Sequence, residues 1–263
     1  MNNTTYLIIS FSFLGLGAIV YFINIFQGKP AGDGLAILII CAALTAGMLM
    51  MYYIPQRRYK KASNLLSQQC DPDAFIEKMQ KFLDKATQDR KTDSICVFRI
   101  SLNSGLCAAG RFDEALSVMP DPSLIKKASL INQVHYHHNN FITYLHLGKS
   151  NQAELALAWL RDSLITLKNT KLRGLFSQHY QNDLIIFAVS KGNFDGAETA
   201  FQDQFVRAKN KLERVAAKFN QGRVHAHFGR TDEAREAFEY VLAHGNKLHV
   251  VSLARKALDA LRP

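Results

Sequence analysis

The first 55 residues hold only one basic and one acidic side chain, Lys29 and Asp33, and both lie in one short segment. Residues 5–26 and 35–54 carry no charge at all and show no polar stripe, so they do not read as amphipathic helices of a soluble surface. Cysteine is scarce, at four, and no two have CxxC spacing, which excludes a disulfide scaffold. Cys41, Cys70, Cys96 and Cys107 read instead as small buried residues of a reducing compartment. Six prolines and an ordinary share of glycine exclude a low-complexity chain. Also missing are GxSxG, GxxxxGK[ST], a GxGxxG opening a helix after a strand, and a Cys/His pair in a recognisable context. Nothing in the sequence points to an enzyme, and no cofactor is expected.

What is present divides the chain sharply. Each uncharged run is about 20 residues, enough for a helix to cross a hydrocarbon layer of roughly 30 Å. Between them QGKPAGDG, with a proline and three glycines, has turn chemistry. Residues 1–55 are therefore expected to form a transmembrane helical hairpin with spans at about 5–26 and 35–54. A cleaved signal peptide would open with a basic region, which MNNTT lacks, and its apolar stretch would be shorter.

The second span runs into PQRRYKK, so Arg57, Arg58, Lys60 and Lys61 mark the cytoplasmic side and a contact with the membrane surface. Both termini and the rest of the chain then face the cytoplasm of a bacterial inner or plasma membrane. Tyr6, Tyr21, Tyr52, Tyr53 and Tyr59 lie near span ends, where an amphipathic ring prefers the interface. No acid or base lies inside a span, and Asn24 sits near the end of the first, so an ion path is not indicated. Ala42 with Ala46, and Ala43 with Gly47, give the second span a small-residue face suited to packing against the first or to dimerisation.

Beyond residue 56 charges are spread throughout and apolar residues recur at helical spacing, as with Phe75, Met79 and Phe82. Asp71 followed by Pro72, or Asp73, starts that helix. Residues 56–263 are expected to be an all-α domain. Within it one phrase recurs: GRFDEAL at 110–116, GNFDGAE at 192–198, GRTDEAR at 229–235 and, more weakly, GKSNQAE at 148–154. Glycine takes the left-handed conformation that ends a helix, and the following aspartate or asparagine is expected to cap the next. The alanines Ala115, Ala153, Ala197 and Ala234 let two helix axes approach, and Leu157, Phe201 and Phe238 follow one turn later. The glycines are 38, 44 and 37 residues apart, so each phrase is the corner of a helical hairpin in a stack with a period near 40.

GRFDEAL, GNFDGAETAF and GRTDEAREAF resemble the corner and second helix of the tetratricopeptide repeat, with Gly110, Ala115, Gly192, Ala197, Phe201, Gly229, Ala234 and Phe238 on matching positions. The likeness covers roughly residues 95–245. The period exceeds the family's usual length of about 34, and the early tryptophan is absent. The resemblance implies an α-solenoid, a degenerate first hairpin at 58–90, and a terminal capping helix with Leu253, Ala257 and Leu261 inward. It also implies a binding platform whose first helices line a groove for a partner protein or peptide. By that analogy the groove residues are His135, His138, Ile142, His179, Asn182, Ile186, Phe219 and Arg223. The family's carboxylate grip is not expected, because Asn139 aligns with one of its asparagines but His179 and Asp183 stand where its basic residues belong.

HYHH at 135–138 and HAH at 225–227 hold five of nine histidines, yet none forms an i,i+4 pair, and no metal site is expected. Outside the first 55 residues, 31 basic and 21 acidic side chains leave the whole net charge of +10 on the helical domain. They form no aromatic-rich basic strip, so nucleic acid is not an expected partner. These features together describe a membrane-anchored interaction scaffold or assembly factor, or else a receptor whose solenoid changes curvature when a peptide or small ligand binds.

Overall fold

The computed structural model describes residues 3–27 and 31–261, with side chains over 12–27, 35–50 and 53–261. Contacts divide the chain into two units, Met1–Lys61 and Ala62–Pro263. The described residues form thirteen helices and no strand.

The first unit contains α1 (Asn3–Phe26) and most of α2 (Ala31–Ser67). The turn expected at 27–34 is shorter than its composition suggests, because α2 already begins at Ala31; residues 28–30 and the side chains of Tyr6 and Tyr52 lie outside those described. Phe13, Leu16, Ile19, Ile39, Leu44 and Met50 are all exposed, an apolar surface with no protein to cover it. Among the described residues one helix, over Leu35–Ser67, is long and apolar enough to cross a membrane; Ser12–Phe26 forms a shorter apolar stretch. The two helices touch where a β-carbon on Gly17 would come within 2.9 Å of Cys41 Cβ. That contact overturns the expected packing face. Cys41 and Thr45 are buried, with Thr45 Oγ1 donating to the Cys41 carbonyl at 2.8 Å, whereas Ala42, Ala43 and Ala46 face outward. The glycine that permits close approach is on α1, not α2. Beyond the apolar run α2 continues unbroken through Pro55 and the exposed Arg57, Arg58, Lys60 and Lys61.

The second unit opens with the last turns of α2 and α3 (Pro72–Gln88). Asp71, not Asp73, is the cap: its Oδ1 accepts from the Ala74 amide at 3.1 Å, and Pro72 occupies the first helical position, where its missing N–H costs nothing. Phe75 and Met79 are buried and Phe82 packs beside them. Four hairpins follow: α4 (Thr92–Ala108) with α5 (Phe112–Ser117), α7 (Leu130–His146) with α8 (Ser150–Thr166), α9 (Thr170–Ser190) with α10 (Ala197–Arg207), and α11 (Lys211–His227) with α12 (Thr231–His244). The short α6 (Pro122–Lys127) lies between the first two, and α13 (His249–Ala260) ends the stack.

All four corner glycines have left-handed backbones, with φ between 69° and 85°. Ala115, Ala153, Ala197 and Ala234 are essentially inaccessible, and Leu157, Phe201 and Phe238 are buried one turn later. The expected capping aspartates do something else. The cap positions are held by Arg111, Lys149, Gly196 and Arg230, none with a side-chain cap bond, while Asp113 and Asp232 lie inside the first turn. There their charge meets the positive end of the helix dipole.

A closed chain replaces the open stack that the repeat implies. One core cluster joins Ala62, Leu66, Phe75 and Met79 at the start of the unit to Phe238, Val241, Leu248 and Ala254 at its end. The junction is also polar: the Lys247 amide donates to the Cys70 carbonyl at 3.2 Å, Asn246 Nδ2 to the Gln69 carbonyl at 2.9 Å, and Lys247 Nζ lies 2.9 Å from Asp71 Oδ2. That cation, bonded to the carboxylate, holds Asp71 below the usual carboxylate range. The buried face of α13 is centred on Ala254, with Ala257 and Leu261 beside it, not on Leu253. Helix α13 therefore docks on the first corner as well as covering the last hairpin, and a β-carbon on Gly110 would stand 2.6 Å from His249 Cγ.

Candidate partner-binding face

The residues expected to face a partner lie on the first helices of the hairpins, α7, α9 and α11, an expected inner stripe. On α7, His135, His138, Ile142 and His146 recur at the three- and four-residue steps that share a helix face. His138 Nδ1 donates to Asp183 Oδ2 of α9 at 2.7 Å, and Asp183 is almost inaccessible. Burial is the largest influence on His138 and opposes its charge; the Asp183 charge and hydrogen bond together outweigh it and raise the pKa. The pair is a cross-brace between two hairpins. His135, edge-on to Phe176 with centroids 5.2 Å apart, is pushed down to about 4 by burial and then by His138 and His179. Burial also lowers His179, followed by the charge of His138. Both rings remain open to solvent, so they line a recess rather than fill a core.

A second group gathers where the stack closes. His146 stacks on Phe112 with centroids 4.3 Å apart, and His249 meets Phe112 edge-on at 5.5 Å. His146 falls to about 4, through burial first and then through His249 and Arg223. Burial lowers the pKa of Arg223 as well, and among the described residues its guanidinium has no ion pair. A half-buried guanidinium without a carboxylate is suited to receive an anionic side chain.

The other sequence candidates are distributed unevenly. Ile142 and Ile186 pack against the core of α7, α8 and α9, and Phe219 lies against Phe238 with centroids 5.9 Å apart. Asn182 and His179 instead line a cleft of about 510 Å³ between α9 and α10. Sequence reasoning missed His146, Phe112 and His249: the first two stack between neighbouring hairpins, and the closure brings His249 to them. Asn139 is buried, with Nδ2 donating to the Ile100 carbonyl at 2.9 Å and to Ser104 Oγ at 2.8 Å, so it has no free donor for a ligand carboxylate. The histidine of HAH, His225, is lowered mainly by burial, while His227 stacks on Phe194 at 3.7 Å. Among the described residues no three His, Cys, Asp or Glu side chains converge on a metal position. Burial holds the Cys107 thiol up at about 11, leaving little thiolate for chemistry.

A family model described as a tetratricopeptide repeat matches residues 184–247. The match runs from the last two turns of α9 through α12, and with the all-helical architecture it supports a helical repeat fold similar to the tetratricopeptide repeat. No curated protein and no solved structure matches the chain. Tetratricopeptide repeats are non-catalytic and generally mediate protein–protein interaction, which is the setting for the inner stripe.

Proposed function

We propose that this chain is a membrane-anchored scaffold or assembly factor that holds a partner protein or peptide on the inner stripe of α7, α9 and α11, at the cytoplasmic face. In this reading residues 5–26 and 35–54 span the bilayer as a hairpin, which accounts for their exposed apolar side chains. Arg57, Arg58, Lys60 and Lys61 meet anionic headgroups, each gaining about 1 kcal/mol there. The observation that carries the partner-binding reading is Arg223, a half-buried cation without an ion pair among the described residues, beside His146, which shares a face of α7 with solvent-open His135.

The test is affinity purification of the detergent-solubilised chain against a variant carrying His135→Ala, Asn182→Ala and Arg223→Ala, with mass spectrometry of what is retained. His138 is left intact, because its removal would strand the buried Asp183 carboxylate. A partner kept by the wild type and lost by a variant of unchanged helicity is the expected result. A partner kept equally by both refutes the inner stripe as the binding face.

The docking of α13 on the first corner favours a second reading, a receptor whose solenoid changes curvature when a peptide or small ligand binds. Absence of any stable partner, with ligand-dependent loss of protection in the amides around Gly110 and His249, would select it.

A further inference from the structure

The first hairpin is incomplete. Its second helix, α5, stops after six residues, whereas α8, α10 and α12 run for 17, 11 and 14. Pro120 and Pro122 explain the stop: proline has no amide hydrogen to give, and it drives the residue before it out of the helical region. The chain returns only as the six-residue α6, whose Ile125 seats on Cys96, Ile100 and Tyr136. What remains is a cleft of about 490 Å³ between α6, α7 and α8, in the range of built ligand sites.

The walls of this cleft are apolar and exposed. Leu155 and Trp159, one turn apart on α8, are 58% and 54% accessible. Trp159, the chain's single tryptophan, stacks on His137 with centroids 6.0 Å apart. Tyr136 and Tyr144 complete the α7 side. On α7 these residues lie about 100° to 200° around the axis from His135, as the 3.6-residue turn requires, so the cleft is on the other face from the inner stripe. Its rim is positive. Lys126 lines it and Lys127 adjoins, and neither has an ion pair among the described residues. Two acids lie at the edge and both are engaged: Asp162 is 3.2 Å from Arg161, and Asp121, whose charge reaches Tyr136, accepts from the Ser123 amide at 2.7 Å.

We propose that this cleft docks an acidic amphipathic helix from a partner protein, which takes the place of the turns that α5 lacks. A helix fits because the other hairpins fill the space beside their first helices with one. Apolar side chains at three- and four-residue spacing reach Leu155 and Trp159, and carboxylates on the rim meet Lys126 and Lys127.

The chain supplies its own probe. A synthetic peptide of residues 231–244, TDEAREAFEYVLAH, is a second helix of this fold with four acids against one arginine, and a staple on its polar face holds it helical. Trp159 fluorescence of the detergent-solubilised whole chain reads occupancy. Saturable binding is expected, about tenfold weaker or more in Leu155→Glu and several-fold weaker in Lys126→Glu with Lys127→Glu. Arg223→Ala leaves it unchanged, which separates this site from the inner stripe. Because Leu155 and both lysines are at the surface, unchanged far-ultraviolet ellipticity checks that the variants fold. Three results overturn the proposal: no saturable change, equal binding of a peptide whose acids are replaced by lysine, or a Trp159 change on simple concentration that Leu155→Glu abolishes. The last would assign the cleft to a second copy of this chain.

Discussion

Gly110→Ala tests the closure of the helical stack most directly, because two separable costs meet at that position. The backbone is left-handed, at φ 78°, a conformation that costs a residue with a β-carbon roughly 1–2 kcal/mol. Part of this is offset by the lower entropy of an unfolded chain with alanine, leaving about 1 kcal/mol. The second cost exists only if α13 is docked, since the new methyl would collide with the His249 ring, itself held edge-on against Phe112. Overpacking of this kind adds about 1–3 kcal/mol. Gly148 is the control, with φ 69° and no atom within 4 Å of a β-carbon. In urea denaturation of the whole chain in mild detergent, followed by far-ultraviolet ellipticity, Gly148→Ala is expected to cost about 1 kcal/mol and Gly110→Ala about 2–4. In a His249→Ala background the Gly110→Ala cost should fall to that of Gly148→Ala, isolating the collision as a coupling energy. Equal costs for the two single variants would mean that α13 does not rest on the first corner, and the closed stack would be wrong.

Two further outcomes follow from the buried polar groups. Asn103, wholly buried, donates through Nδ2 to the Ala115 carbonyl at 2.7 Å, so Asn103→Ala should cost about 2–3 kcal/mol while exposed Ser190→Ala costs under about 1, read by the same denaturation. His135, His137 and His146 are each depressed to about 4 by burial, so the stability they lend is present above their unfolded value of about 6.5 and lost as pH falls toward 4. His138, raised by Asp183, acts oppositely, its contribution being complete below the unfolded value and lost as pH rises through the folded one. With His179, His225 and His249 lowered as well and His138 alone raised, the midpoint of thermal unfolding should drop between about pH 6.5 and about pH 4; a midpoint that stays level there would refute the lowering of these partly solvated rings.

Local chemistry was legible in the sequence because short-range sterics dictate it. A glycine five residues before an alanine, with a large apolar residue four further on, specifies a helical corner whatever surrounds it, and all four corners have the left-handed glycine that this requires. Asp71 with Pro72 similarly marked a helix start. The capping aspartates were misread because a tight corner places the basic residue after glycine at the cap and carries Asp113 and Asp232 into the first turn.

Uncharged runs, corner spacing and helical periodicity, then, were set by the sequence alone, since each depends on neighbours a few positions away. Long-range packing decided the rest. Residues 69 and 246 are 177 positions apart, and no local pattern announces the hydrogen bond between them. That contact belongs to the closure that brings His249 beside His146 and Arg223. Likewise, Pro120 and Pro122 cut α5 short, but only the placement of α6 beside α7 and α8 turned the break into a cleft. The division follows from the range of the forces: backbone sterics act within one turn, whereas burial and charge pairing depend on which distant surfaces meet.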